Sequence, residues 1–194
     1  VSLDIYLNET SRHADVILPG PSPLEDDHYD VTFTQFSHRN HARYSPPVLA
    51  RQPGQPDEWE SLLRVAAIAG GQGAGADIEA LDDALLAQDL DKSFGPAAAQ
   101  VMAALGPQRG PQRLLDLALR TGPYGDGFGR VPDGLTLAKI MQAPSGIDLG
   151  PMTPRIPEAL RTPSGKIELA PCALLEDLAR VALDLAAPAP DLVI

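Results

Sequence analysis

The sequence predicts a mixed α/β fold in which two amino-terminal strands are followed by a mostly helical segment rich in proline and glycine. Apolar and polar residues alternate over residues 3–7, which indicates a strand, and a compact apolar run over residues 14–18 indicates a second strand. Helical periodicity then recurs between residues 57 and 141. Twenty prolines and 17 glycines among 194 residues predict irregular connections between these elements.

The charge and the cysteine content exclude several classes of protein. Fifteen lysine and arginine residues stand against 26 aspartate and glutamate residues, which gives a formal net charge of −11. Because such an excess repels phosphate backbones and anionic lipids, we expect no nucleic-acid partner and no membrane insertion. The one cysteine, Cys172, excludes an internal disulfide and an iron–sulfur cluster held by this chain alone.

The opening residues lack the features of a leader peptide. The chain starts at Val1 and continues with neither a basic stretch nor a long apolar stretch. We therefore interpret the chain as a piece of a longer protein that starts inside a fold, and we expect a cytoplasmic location.

The first 56 residues predict two strands followed by a long extended segment. The polar side chains of residues 8–11 can begin one helical turn between the two strands. The second strand is almost continuously apolar and is stopped by Pro19, which is typical of an α/β sheet covered on both faces. Residues 24–56 are polar and contain prolines that exclude a regular helix.

Asp57 predicts the start of the first long helix. Glu60 follows three residues later, in capping-box spacing, and Gly70-Gly71 ends the helix. Its predicted buried stripe consists of Leu62, Leu63, Val65, Ala66 and Ile68. The later elements are predicted in this order: two helices within 76–105, a helix over 111–120, a short helix over 135–141, a turn and a strand over 162–169, a helix over 173–186 and a linker over 188–190.

Two polar clusters have both a functional and a structural interpretation. The first cluster consists of Asp26, Asp27, His28 and Asp30. These are donors for a divalent cation, but their spacing fits no cation-binding loop, so a solvated turn is favoured. The second cluster, the main local concentration of basic side chains, consists of His38, Arg39, His41 and Arg43. It is either a patch for a phosphate or carboxylate or the exposed face of a strand.

Three further candidates favour a structural role. The glycine-rich residues 71–75 follow a helix rather than a strand, which indicates a helix–helix connector and not a phosphate-binding loop. Ser164 lacks the first glycine of a nucleophile elbow, so we predict a residue of a tight turn. Cys172 precedes an apolar helix and is predicted to be a small buried side chain.

Three motifs follow one another along the chain. Residues 4–25 contain D-I-Y-L-N-E-T, then A-D-V-I-L-P, then L-E; residues 56–59 are P-D-E-W at a helix start; residues 162–169 are T-P-S-G-K-I-E-L. In this order and spacing they resemble the molybdopterin-dependent oxidoreductases of the dimethyl sulfoxide reductase and formate dehydrogenase superfamily. The resemblance covers about 75 residues, and residues 70–155 match no general motif of that family.

The resemblance implies an internal fragment of a large, formate dehydrogenase-like catalytic subunit. In such enzymes two molybdopterin guanine dinucleotides hold molybdenum or tungsten, and a 4Fe-4S cluster passes electrons. Since the cluster cysteines and the metal-ligating residue have no counterpart in this chain, we expect the isolated chain to bind neither metal nor cluster and to be inactive. Its expected partners are the remaining domains of the parent polypeptide and an electron-transfer subunit.

The resemblance also implies a fold and site residues. Residues 1–70 would be the second half of a doubly wound, Rossmann-like cofactor-binding lobe, residues 71–160 a helical insertion, and residues 161–194 a strand, helix and linker leading to a carboxy-terminal barrel. Asp4, Thr10 and Asp57 match cofactor-binding positions of the family, whereas Asp15 and Glu25 are expected to order loops. A free-standing, non-catalytic α/β interaction module is the alternative.

Overall fold

The structure, a computed structural model, describes residues 1–188 and is a mixed α/β protein with small sheets and several helices. It divides into two units, Val1–Pro151 and Met152–Ile194. The predicted boundaries at residues 70 and 160 stay predictions. Of the predicted linker over 188–190, residues 189 and 190 lie outside the described residues.

Three small two-stranded sheets form in the first unit. Its strands are β1 (Ser2–Asp4), β2 (Ile17–Pro19), β3 (His28–Tyr29), β4 (Arg39–Ala42), β5 (Tyr44–Ser45) and β6 (Ile147–Pro151). β1 and β2 pair in parallel, whereas β3 pairs with β5 and β4 pairs with β6 in antiparallel fashion. Asp4 and Pro19 face each other in the parallel pair, so both of its strands end at the same edge.

The first strand is shorter than predicted. The Asp4 carboxylate accepts a hydrogen bond from the Ile5 N–H (2.8 Å), and the chain turns away there, leaving Ile5 and Leu7 exposed. The second strand is not covered on both faces within this unit either, because Ile17 and Leu18 are only partly buried and Pro19 is exposed.

The predicted helices are confirmed, with their ends moved by a few residues. The first unit contains α1 (Glu58–Ala69), α2 (Ile78–Phe94), α3 (Ala98–Ala104), α4 (Gly110–Thr121) and α5 (Leu137–Met141). The capping box of α1 forms, with the Glu60 carboxylate accepting from the Asp57 N–H at 2.8 Å. The buried stripe predicted for α1 is wrong at Leu62, Val65, Ala66 and Ile68, which are exposed because no described element covers them; the buried residue of α1 is Ala67.

Two small apolar clusters form the core of the first unit. One joins β4 and β5 to α5 and contains Ala42, Tyr44, Leu135, Leu137 and Ile140. The other joins α2 to α3 and contains Leu86, Leu90, Ala98, Val101 and Leu105. These clusters hold the helices against one another and fix the core side of β4.

The second unit contains one long helix, α6 (Cys172–Ala186), as predicted from its periodicity. Of the turn and strand predicted over 162–169, the turn is confirmed and the strand is wrong: the Thr162 hydroxyl donates to the Lys166 carbonyl (2.7 Å) and closes the turn, and no strand follows it within these residues. Ser164 lies in that turn and donates to the Glu168 carboxylate (2.9 Å). Cys172 is exposed rather than buried, because α6 buries none of its residues. None of the helices within residues 1–188 has the length and apolarity needed to cross a membrane.

Candidate functional site

The turn that follows β1 is held by its own polar side chains. The Asp4 carboxylate accepts from the Asn8 side-chain amide (2.7 Å), and the Asn8 side-chain oxygen accepts from the N–H groups of Thr10 and Ser11 (2.9 Å each). Ser11 is fully buried, and its hydroxyl accepts from the Asn8 N–H and donates to the Tyr6 carbonyl. An Asx-type network of this kind fixes the backbone at the carboxyl end of the strand.

A cleft of about 470 Å³ lies at the carboxyl ends of β1 and β2, and we call it the strand-edge cleft. Its lining residues are Ile5, Pro19, Gly20, Ser22, Glu25, Gln52, Pro53, Gly54, Gln55 and Pro56. Ile5 directly follows β1, and Pro19 is the last residue of β2. In open α/β sheets, ligands bind at this end of parallel strands; the parallel pair here consists of β1 and β2 alone.

Arg51 ties together the two chain segments that form the wall of this cleft. Its guanidinium donates to the Glu25 carbonyl (3.0 Å) and to the Asp26 carboxylate (3.0 Å), and it also pairs with the Asp57 carboxylate. All three side chains in these ion pairs are partly buried. Arg51 therefore holds the acidic turn and the start of α1 in one arrangement.

A second cleft, of about 560 Å³, is lined by Arg51 and is called the Trp59 cleft. Its wall combines apolar side chains with acidic and basic ones. The lining residues are Asp26, Asp27, His28, Tyr29, Val31, Arg51, Asp57, Glu58, Trp59, Leu62, Arg109, Pro111, Gln112 and Leu115. Burial raises the pKa of the neighbouring Tyr44 hydroxyl, and hydrogen bonding and charge from Asp27 raise it further. Tyr44 therefore remains a neutral hydroxyl at any physiological pH.

The structure brings two of the three predicted site residues together. Asp4 and Thr10 are joined through Asn8, with the Asp4 carboxylate directed into its own turn and Thr10 exposed. The Asp57 carboxylate instead lines the Trp59 cleft. The chain next to Asp4 and the chain next to Asp57 nevertheless meet in the strand-edge cleft. Ile5, which follows Asp4, and Pro56, which precedes Asp57, both line it.

Three residues that matter in the clefts were not predicted from the sequence. Gln52 and Gln55 line the strand-edge cleft, and Arg51 connects the two clefts. They lie in an extended, proline-containing segment with no periodicity, so no sequence signal marks them. Glu25 was expected to order a loop, and its carboxylate does accept from the Ser22 N–H (2.8 Å) while lining the strand-edge cleft.

The acidic cluster is not the solvated turn that was predicted, because His28 lies in β3 and Asp26, Asp27 and Asp30 are partly buried. The Asp30 carboxylate accepts from the N–H groups of Phe33 (2.8 Å) and Thr32 (2.9 Å), and the Phe33 hydrogen bond is the main cause of its lowered pKa. Within residues 1–188 no group of three or more His, Cys, Asp or Glu side chains is placed to hold a metal ion. Residues 71–75 connect α1 to α2, as the glycine pattern predicts.

The sequence matches no protein-family model and no curated protein, and no solved structure matches either. The interpretation of the two clefts therefore rests on their geometry and chemistry.

We expect Arg51→Met to lower the free energy of unfolding by about 2 kcal/mol, because it removes hydrogen bonds to two carboxylates and one carbonyl while keeping the apolar stem. Amide exchange should rise at residues 25–26 and 52–57. The matched control is Arg64→Met, since Arg64 is an exposed arginine with one hydrogen bond, to the Ala74 carbonyl. Equal losses in the two variants, measured by urea unfolding, would show that Arg51 does not hold the clefts together.

Proposed function

We propose that this chain forms part of the guanine dinucleotide pocket of a molybdopterin-dependent oxidoreductase of the formate dehydrogenase-like type. The observation that carries the proposal is the strand-edge cleft, where the chain beside Asp4 and the chain beside Asp57 meet at the ends of two parallel strands. Ligands of α/β dinucleotide-binding lobes occupy this place. The parallel pair would thus belong to a larger Rossmann-like sheet.

The donors and acceptors in the cleft suit a guanine base. Guanine presents an N1–H and an amino group side by side, and the Glu25 carboxylate can accept from both. The side-chain amide of Gln52 offers a donor and an acceptor, whereas the amide of Gln55 is held by the Gly20 carbonyl and the Gln52 N–H. The cleft volume of about 470 Å³ is within the usual range for small-molecule pockets.

The proposed roles of the motif residues follow from their contacts. Asp4 and Thr10 would fix the turn at the strand end, so that its backbone can face the cofactor. Asp57 would contribute negative charge at the wall between the two clefts, with Arg51 holding it in place. When bound, the cofactor's metal supplies two-electron oxidation and reduction, which no side chain of this chain can supply.

The exposed apolar surface supports partners within a larger protein. The α1 side chains of Leu62, Val65 and Ile68 are each roughly half exposed, and the leucines of α6 are more than half exposed. Exposed apolar surface of this kind marks a face that packs against other protein. We propose that the remaining domains of the same polypeptide cover it, and that they supply the metal ligand and the 4Fe-4S cluster, with electrons leaving to an electron-transfer subunit.

The proposal is tested by comparing two helix-capping aspartates in the complete protein. Asparagine caps a helix as well as aspartate does, so Asp57→Asn keeps the cap and removes the charge. We expect it to lower the pterin and metal content several-fold, because it breaks the ion pair with Arg51 that holds the start of α1 against the acidic turn beside the strand-edge cleft. Asp77 caps α2 through the Ala80 N–H (3.0 Å), and Asp77→Asn should leave the cofactor content unchanged. Unchanged content in both variants would remove Asp57 from the cofactor site.

A further inference from the structure

A third polar cleft, of about 520 Å³, lies on the ribbon of β4 and β6, and we call it the ribbon cleft. Its lining residues are Ser37, His38, Arg39, His41, Arg43, Ser145, Gly146, Ile147 and Asp148. None of them lines the strand-edge cleft or the Trp59 cleft. The ribbon cleft is therefore independent of the function proposed above.

The alternation of β4 and β5 places the basic side chains on the outer face of the ribbon. Ala42 and Tyr44 are buried in the core cluster beneath, so the odd-numbered residues between 39 and 43 face outward. All of these outward residues are exposed. The sequence interpretation of an exposed strand face is confirmed for this segment, and the ribbon cleft is a shallow depression on that face.

Within residues 1–188, Arg39 is neutralised and Arg43 is not. The Arg39 guanidinium binds both Asp148 carboxylate oxygens, with distances of 2.7 to 3.0 Å. Arg43 forms no ion pair with any other described residue. In a chain with 26 acidic residues, an arginine left without a carboxylate is available for an external anion.

Gly146 lies close to the base of the Arg43 side chain. Its φ is +82°, and a Cβ at this position would lie 3.2 Å from the Arg43 Cβ and 3.1 Å from the Ala42 carbonyl oxygen. The loop before β6 can approach Arg43 this closely because residue 146 has no side chain. Arg43 itself is exposed, so its guanidinium can reach an anion in the cleft.

We propose that the ribbon cleft binds a phosphate group, either free or as a monoester. Arg43 supplies the charge, and the side chains of Ser37, His38 and Ser145 supply further hydrogen-bond donors, whereas the Nδ1 of His41 lies 3.3 Å from the Arg39 carbonyl oxygen. These groups come from both ends of β4 and from the loop before β6, which suits a tetrahedral anion better than a planar carboxylate. The carboxylates of Asp148 and Asp30 oppose binding, since Asp148 lines the cleft and Asp30 interacts with His41.

The test is a titration of the full chain with inorganic phosphate, glycerol phosphate and acetate at one fixed pH, followed through the imidazole proton resonances of His38 and His41. We expect saturable binding of the two phosphate probes and much weaker binding of acetate. The tighter of the two phosphate probes identifies whether the site takes free phosphate or an ester.

Three variants make the test specific. Arg43→Gln should weaken phosphate binding about tenfold or more, as expected for losing a charge-assisted pair. Asp148→Asn should strengthen it several-fold, because it removes a carboxylate and frees Arg39. Arg64→Gln removes the same charge from α1, outside the cleft, and should change nothing. The proposal is overturned if phosphate produces no saturable change, if Arg43→Gln binds like the unaltered chain, or if acetate binds as tightly as phosphate.

Discussion

Asp126→Asn is expected to lower the free energy of unfolding of the first unit by about 3 kcal/mol, because it breaks a buried ion pair. Both Asp126 carboxylate oxygens bind the Arg120 guanidinium, at 2.9 and 3.0 Å, and the two side chains are only 11% and 14% exposed. This loss is at the lower end of the range for breaking a buried ion pair, because Arg120 retains a second ion pair, with Asp116 at 3.7 Å. Urea unfolding followed by circular dichroism measures it.

The same carboxylate also orders the glycine-rich loop around it. It accepts from the N–H groups of Phe128 and Gly129 (3.0 Å each), which holds Phe128 at a φ of +58°. The Phe128 ring lies against the Arg120 guanidinium, 4.5 Å from the ring centroid. Removing the charge should therefore raise amide exchange throughout residues 122–130.

Asp148→Asn is the matched control for this prediction. Asp148 binds Arg39 with the same two-oxygen geometry in the same unit, but its side chain is 60% exposed. Exposed ion pairs contribute little to stability, so the unfolding midpoint should hardly move. If Asp148→Asn and Asp126→Asn shift the midpoint equally, burial is not what makes the Arg120 pair strong.

The contribution of Asp126 to stability should depend on pH in one direction. The hydrogen bond from Arg120, and then those from Phe128 and Gly129, hold the pKa of Asp126 below its ordinary value of 3.8. A carboxylate with a lowered folded-state pKa stabilises the protein above its unfolded pKa and loses that effect as the pH falls through the folded value. The stability difference between the unaltered chain and Asp126→Asn should be constant near neutral pH and shrink below about pH 4.

Gly110→Ala is expected to cost about 3 kcal/mol, from overpacking and from backbone strain together. Gly110 begins α4 with a φ of +56°, and a Cβ there would lie 2.6 Å from two ring carbons of Trp59 in α1. The indole must move, or the two helices must separate. Because Trp59 is the one tryptophan of the chain, its emission should shift together with the unfolding midpoint.

Gly54→Ala separates the two causes. Gly54 has a φ of +80°, but a Cβ there would meet nothing within 4 Å. This variant should therefore show the backbone strain alone, about 1 kcal/mol, with unchanged Trp59 emission. Equal losses in the two variants would mean that the contact between Gly110 and Trp59 does not matter for stability.

The helices could be predicted from the sequence because their causes are local. Asp57 and Glu60 form the expected capping box, and the periodicity of α2 and α4 locates both helices within a few residues. The strands were harder to predict from the sequence, because the residues at which a strand begins and ends depend on pairing partners that are distant along the chain. β6 was not predicted at all: it exists because it pairs with β4, more than 100 residues earlier in the chain.

The clefts were predictable only in part, for the same reason. The motifs indicate Asp4 and Asp57 as site residues. They do not indicate that the neighbouring residues Ile5 and Pro56 line the same cleft. The role of Arg51 depends on contacts with residues 25 and 26, across a segment without regular structure. The order of the glycine-rich loop around Asp126 comes from an ion pair that the sequence does not reveal.

The most direct test of the proposed function is cofactor analysis of the protein produced from its complete reading frame. It should be purified from cells that also load a second, established molybdenum enzyme, which serves as the control for cofactor supply. We expect a guanine-bearing pterin and molybdenum or tungsten to be recovered with the protein in a fixed ratio. Recovery of neither pterin nor metal, while the control enzyme is fully loaded, would contradict the assignment of the strand-edge cleft to this cofactor.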